Sequence, residues 1–202
     1  MESKEELESM TDSQIIREIK DGNVELFAEL MNRYQRKLLS FIFHMLKSSQ
    51  LELLAEDLCA ETFFKAYRSL NTFREAEASF STWLYTIARN TVLSELRKQR
   101  SVQVSLDDDY SIVPEAPREA APEYALLRNE KVSLVRDAIN RLPEKQRSAL
   151  ILREYDQLDY QEIAHALGQT VSSVKSLLFR ARASVKSQLE AYITEPGVEG
   201  MN

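Results

Sequence analysis

Residues 157–189, QLDYQEIAHALGQTVSSVKSLLFRARASVKSQL, hold two helix starts and one helix stop in a single short stretch. Asp159 can cap a first helix with Glu162 three positions on to reach back, and Leu158 and Ile163 bracket that cap as a hydrophobic staple. Tyr160, Ile163, Ala164 and Leu167 then recur at the spacing of one helical stripe, and Gly168 supplies the permissive residue that a helix stop prefers. After a tight turn, Thr170 can cap a second helix whose buried face is Val171, Val174, Leu178, Ala181 and Val185. Ser172, Ser173, Lys175, Ser176, Phe179, Arg180, Arg182 and Lys186 occupy much of its remaining surface, which is basic and hydroxyl-rich. The pattern reads as a helix-turn-helix. Small hydroxyls near a helix start let the backbone approach phosphate, and Lys or Arg on the following turns can reach phosphates or base edges in a major groove. The plainer alternative is an amphipathic surface helix with a solvated basic face, a reading that the capped first helix and the short turn weaken.

The totals bound the rest. With 202 residues, 44 % of them hydrophobic, the chain can build one large or two small cores without staples. Four glycines and five prolines argue for long helices, and no long run alternates apolar with polar residues, so an all-α fold without a sheet is expected. One cysteine, Cys59, excludes an internal disulfide and a Cys-rich metal site, and the two histidines, His44 and His165, lie far apart. No metal, cofactor or small-molecule substrate is expected, nor any catalytic residue. No apolar run is long enough to span a bilayer and the start, MESKEELESM, is too acidic for a signal peptide, so the expected location is cytoplasmic.

The net charge of −6 at first opposes nucleic-acid binding, but its distribution does not. Residues 1–32 carry nine acids against three bases (−6) and residues 105–130 carry seven against two (−5), so the remainder carries +5. Local field rather than overall charge then governs binding.

Along the chain, Thr11 and Gln14 form a second capping box ahead of Ile15, Ile16 and Ile19, with a stop at Asp21-Gly22. Asn23 is expected to cap a longer helix striped by Phe27, Leu30, Met31, Tyr34, Leu38, Phe41, Ile42 and Met45. A third helix has Ala55, Leu58, Thr62, Ala66 and Leu70 on one stripe, leaving Glu56, Asp57, Glu61, Phe64 and Lys65 largely off it. Asp57 and Glu61, one turn apart, lack a nearby His, Cys or nucleophile that would complete a catalytic or metal constellation; an acidic contact face for a protein partner fits them better. Cys59 reads as a small buried apolar residue.

Residues 80–100, FSTWLYTIARNTVLSELRKQR, form a further helix. Trp83 or Leu84, Ile87, Ala88, Thr91 and Leu96 can face a core, which leaves Tyr85, Arg89, Asn90, Arg97, Lys98 and Arg100 outside. Aromatics beside basic residues suit unstacked bases and a phosphate backbone; a core tryptophan with a basic end that complements the helix dipole is an equally simple account. Residues 101–128 then dissolve into a Pro- and Asp-rich linker, and a terminal domain, 129–192, opens with Val132, Val135, Ile139 and Leu142 on a helical stripe. Pro143 is placed at the first position of the next helix, and residues 193–202 read as a disordered tail.

Several of these segments together resemble one family. AEDLCAETFFKAYRSL at 55–70, FSTWLYTIARN at 80–90 with LRKQR after it, LPEKQRSALILREYDQLDYQEIAHALG at 142–168 and TVSSVKSLLFRAR at 170–182 are similar, in order, to the motifs of extracytoplasmic-function sigma factors, group 4 of the sigma-70 family. The resemblance covers nearly all of residues 11–190. It implies two small helical domains: a region 2 domain at residues 1–100 and a region 4 helix-turn-helix domain at 129–192. It further implies a bacterial RNA polymerase subunit that directs promoter-specific initiation, for an envelope or other stress response, under an anti-sigma factor that is often membrane-anchored.

By the same resemblance, Asp57, Glu61 and Phe64 would dock on the clamp helices of the polymerase largest subunit. Trp83, Tyr85, Arg89, Asn90, Arg97 and Lys98 become candidates for recognising and melting the minus-10 element. Ser172, Ser173, Lys175, Ser176, Phe179, Arg180 and Arg182 become candidates for the minus-35 element. Three positions depart from the family pattern: Ala60 where glutamine is usual, Ser94 where aspartate is frequent and Leu177 where arginine is common in the recognition helix. The last implies an altered promoter preference. Alternatives are a mimic that only titrates an anti-sigma factor, and a conventional helix-turn-helix regulator, which would bind operator duplex as a dimer without polymerase.

Because the acidic segments repel duplex and the spacing of the two domains would be set by polymerase, the purified chain alone should bind duplex DNA weakly in a mobility-shift titration. Tight, sequence-specific binding without polymerase would instead favour the conventional regulator.

Overall fold

The computed structural model describes residues 9–106 and 133–194, with side chains up to Gln99 in the first segment and up to Glu190 in the second. All regular structure among them is helical. The helices are α1 (Asp12–Lys20), α2 (Phe27–Lys47), α3 (Ala55–Ser69), α4 (Phe80–Leu106), α5 (133–140), α6 (Glu144–Glu154), α7 (Tyr160–Leu167) and α8 (Val171–Thr194). Short 3₁₀ turns at Val24–Leu26, Glu52–Leu54 and Leu70–Thr72 join the first four.

Local sequence rules set the helix ends. Thr11 and Gln14 make the expected reciprocal capping box on α1, and Asp159 and Glu162 make the one on α7. In the latter the Gln161 and Glu162 amides donate to Asp159 Oδ1 at 2.7 and 2.8 Å, and the Asp159 amide donates to Glu162 Oε2 at 2.9 Å. Gly168 closes α7 in the left-handed conformation at φ +60, where a side chain would be strained. The Ser173 amide donates to Thr170 Oγ1 at 3.2 Å, so α8 starts at its expected cap. Leu158 and Ile163, the staple, are both buried.

Other boundaries differ from expectation. Asn23 makes no cap: its side-chain amide donates to Glu18 Oε2 at 2.6 Å, a 3₁₀ turn intervenes, and α2 begins at Phe27. Pro143 is the cap of α6 rather than its first residue. Helix α4 continues six residues past the expected domain end, to Leu106, so the first part of the proposed linker is helical. The rest of that linker and residues 195–202 of the tail lie outside the described residues, as does Val132.

In the first half, α2, α3 and α4 pack on one another, and α1 packs against α2. The α3 stripe Ala55, Leu58, Thr62, Ala66 and Leu70 is buried against them, as is Cys59, whose thiol burial pushes up to about 11. In the second half, α6, α7 and α8 surround Ile151, Leu152, Ile163, Val174 and Leu178. Arg147, buried in α6, donates to the carbonyls of Asn140 at 3.1 Å and Leu142 at 3.3 Å, tying down the end of α5. The two halves then share one continuous hydrophobic core: α7 lies on α4 and α6 lies against α2.

Replacing Asp159 with alanine removes an acceptor from two amides at the α7 start, and the expected loss is about 1 kcal/mol of stability, measurable by urea denaturation.

Candidate nucleic-acid interface

Helix α8 packs on α6 and α7 through Val174, Leu177, Leu178 and Ala181, all buried. Its outer face carries Ser172, Lys175, Ser176, Phe179, Arg180 and Arg182, all exposed, and Phe179 stands 74 % exposed. The Arg182 guanidinium pairs with Glu154 at 2.8 Å, and Arg180 Nε reaches back to the Ser176 carbonyl at 3.3 Å. Lys175 and Arg153 both lie against the Tyr160 ring, at 5.8 and 5.2 Å from its centroid. The face is thus cationic, with one unsupported aromatic. Ser173 is partly turned away: its hydroxyl donates to Gln169 Oε1 at 3.0 Å.

Leu177 corrects one expectation. It is 9 % exposed and part of the core, so no reader is missing from the outer face there, and the altered promoter preference inferred from it loses its basis. Its spacing after Val174 and before Ala181 already carried that signal.

On α4 the expected set divides. Asn90, Arg97 and Lys98 are exposed. Trp83 is half-buried in an aromatic cluster, 5.2 Å from Phe73 and 5.8 Å from Phe80, centroid to centroid. Tyr85, expected outside, is 3 % exposed and meets Phe41 edge to face at 5.3 Å. Tyr85, Ala88 and Val92 fall at i, i+3 and i+7, so the helical stripe that buries it was present in the sequence. Arg89, also expected outside, is largely covered by the second half. Its Nε and Nη2 donate to the two carboxylate oxygens of Glu144 at 3.0 and 3.1 Å.

Further residues at this seam had no local signal. The Ser148 hydroxyl lies 2.9 Å from Glu144 Oε1 and 3.2 Å from the Met45 sulfur, and Tyr155 stacks at a tilt on His44 with centroids 4.7 Å apart. Burial, with Arg136 and Lys47 nearby, pulls the His44 pKa down. The Tyr85 hydroxyl and Asp156 Oδ2 are buried beside one another and interact across the seam, in a contact that falls short of ideal hydrogen-bond geometry. Burial pushes Asp156 up to about 6, only partly offset by the Tyr85 hydroxyl and by Lys37.

On α3, Glu56, Asp57, Glu61, Phe64 and Lys65 are all exposed. Lys65 pairs with Glu61 at 2.7 Å and Arg68 sits over the Phe64 ring. Phe64 is 59 % exposed, so the face combines acid with uncovered apolar surface. No group of three or more His, Cys, Asp or Glu side chains placed to hold a metal occurs among the described residues. No helix is long and apolar enough to cross a membrane among them either.

Comparison with known proteins fits this architecture. Sigma-70 region 2 matches residues 30–102, and Sigma-70, region 4 matches residues 133–185. The RNA polymerase sigma-H factor of Pseudomonas aeruginosa is 35 % identical over 91 % of this chain and 96 % of its own length. The ECF RNA polymerase sigma-E factor of Escherichia coli K12 is 35 % identical over 92 % and 98 %. The chain belongs to the extracytoplasmic-function group of the sigma-70 family of RNA polymerase sigma factors. Its fold is also that of CnrH, solved in complex with the cytosolic domain of CnrY, with a TM-score of 0.64 at 21 % identity over 88 % of this chain and 96 % of that one. The sigma factor RpoE from Bartonella quintana, solved with the anti-sigma factor NepR, has a TM-score of 0.60 at 23 % identity, covering 80 % and 97 %.

The raised Asp156 carboxyl has a pH consequence. Because the folded chain holds this proton more tightly than the unfolded chain, the buried charge destabilises the fold above about pH 6, and the penalty fades as the pH falls toward the ordinary carboxyl value. An Asp156→Asn variant should therefore be more stable than wild type at pH 7.5 by thermal melting, with the gap closing toward pH 4.

Proposed function

We propose that the chain binds core RNA polymerase and directs promoter-specific initiation, with its two halves on two promoter elements and an anti-sigma factor as its inhibitor. The observation that carries this is the division of α8 into a buried apolar face and an exposed face of lysine, arginine, serine and Phe179, the form of a helix that enters a major groove. On this reading Ser172, Lys175, Ser176, Phe179, Arg180 and Arg182 meet the minus-35 element. Arg182 would exchange Glu154 for a phosphate or base.

Trp83, Asn90, Arg97 and Lys98 meet the minus-10 strand, Trp83 from the edge of its aromatic cluster. Arg89 joins them only once it is released from Glu144, and Tyr85 supports the site by packing on Phe41. Asp57, Glu61 and Phe64 dock on the clamp helices of the polymerase, where the acidic and apolar surface of α3 would be covered. No step requires a catalytic residue, since polymerase performs the chemistry. The relatives' names and the anti-sigma complexes of structural neighbours support this reading.

In transcription from a promoter library with core polymerase, wild type should give specific start sites. An Arg180→Ala, Arg182→Ala double variant should lose them by at least tenfold, each lost base or phosphate contact costing roughly 1–3 kcal/mol. No initiation by wild type, with folding and polymerase binding verified, would favour a mimic that only titrates an anti-sigma factor.

A further inference from the structure

The two carboxylate oxygens of Glu144 hold the Arg89 guanidinium in the bidentate form that a phosphate or a base edge would otherwise take. The same guanidinium cannot serve Glu144 and a nucleic-acid strand at once. Around this pair the second half covers α4: α7 lies along it, and Asp156 is electrostatically coupled to Tyr85 at the same seam. Glu144 therefore occupies part of the surface that the minus-10 strand is proposed to use. The recognition face of α8 points elsewhere and stays exposed.

The seam is also unlike a permanent core. A permanent core rarely holds a carboxylate, whereas here Asp156 Oδ2 is buried with the Tyr85 hydroxyl as its partner across the seam, short of ideal hydrogen-bond geometry. Apolar contact and the Arg89–Glu144 pair hold the halves together, and the cost of burying the Asp156 carboxylate, only partly offset by the Tyr85 hydroxyl, opposes them. An interface of that composition is poised to open.

We propose that the chain inhibits itself: Glu144 of α6 acts as an internal stand-in for nucleic acid on Arg89 of α4 and clasps the second half over the minus-10 surface until polymerase or promoter displaces it. This rests on the reading of α4 as a minus-10 surface. Loss of the carboxylate should open the chain, and loss of the Asp156 charge should close it further.

The test uses the full chain in a Cys59→Ala background with nitroxides at Ser49→Cys and Arg141→Cys, two positions that line one cleft between the halves. Double electron–electron resonance should give one short distance for the free protein. Glu144→Ala should raise the ratio of open to closed chains about tenfold, as expected for loss of a charge-assisted hydrogen-bonded pair. Glu144→Gln, which preserves side-chain size, should act in the same direction, and the swap Arg89→Glu with Glu144→Arg should restore the short distance. Asp156→Asn should lower the open fraction.

A long, broad distance in the parent protein, or Glu144 variants with unchanged distances and native helicity, would overturn the clasp. Run-off transcription with the unlabelled wild type tests the underlying reading separately. Initiation with unchanged distances in the variants defeats only the clasp, whereas opening without initiation by any variant defeats the assignment of what the clasp covers.

Discussion

Helix α4 has to be buried on two sides by two different partners, and the rest of the structure is arranged around that demand. Leu84, Ala88 and Val92 are buried as α4 packs on α2 and α3, while Arg89 faces the second half. The first contact is mainly apolar, with a polar link from Lys65 of α3 to Thr91 Oγ1 of α4 at 3.1 Å. The second adds a charge pair and the approach of the Tyr85 hydroxyl to Asp156 to the apolar packing.

That difference separates what is stable from what can change. Within each half, large aliphatic side chains such as Leu38, Ile42, Leu152 and Leu178 are almost wholly removed from water, and each such burial contributes roughly 1.5–3 kcal/mol before entropy is charged against it. Between the halves, part of the attraction is electrostatic and exchangeable. Arg89 holds the Glu144 carboxylate across the seam, and within the second half Arg182 holds that of Glu154.

Most helix ends were legible because they follow from chemistry within three or four residues. Thr11 with Gln14 and Asp159 with Glu162 satisfy the same orphan amides wherever they occur, and Gly168 adopts a left-handed backbone without steric cost. Where sequence reading failed, two stripes competed for one helix. Tyr85 and Leu177 each lie one position from a residue already assigned to the core, and their own three-and-four spacing places them inside as well. Asn23 failed for another reason: its side chain found Glu18, so the backbone tightened into a 3₁₀ turn instead of being capped.

By itself the sequence determined the all-α class, the helix-turn-helix with its basic outer face and the exposed acidic surface of α3, because periodicity and capping are local. It also carried the family motifs. Only the tertiary structure decided that Arg89 is held by Glu144, that Asp156 approaches Tyr85 and that Ser148 approaches Met45. Those partners lie 55 to 103 residues apart in the chain, and no local preference encodes such pairings. They arise from how two amphipathic surfaces align once each half has buried its own core.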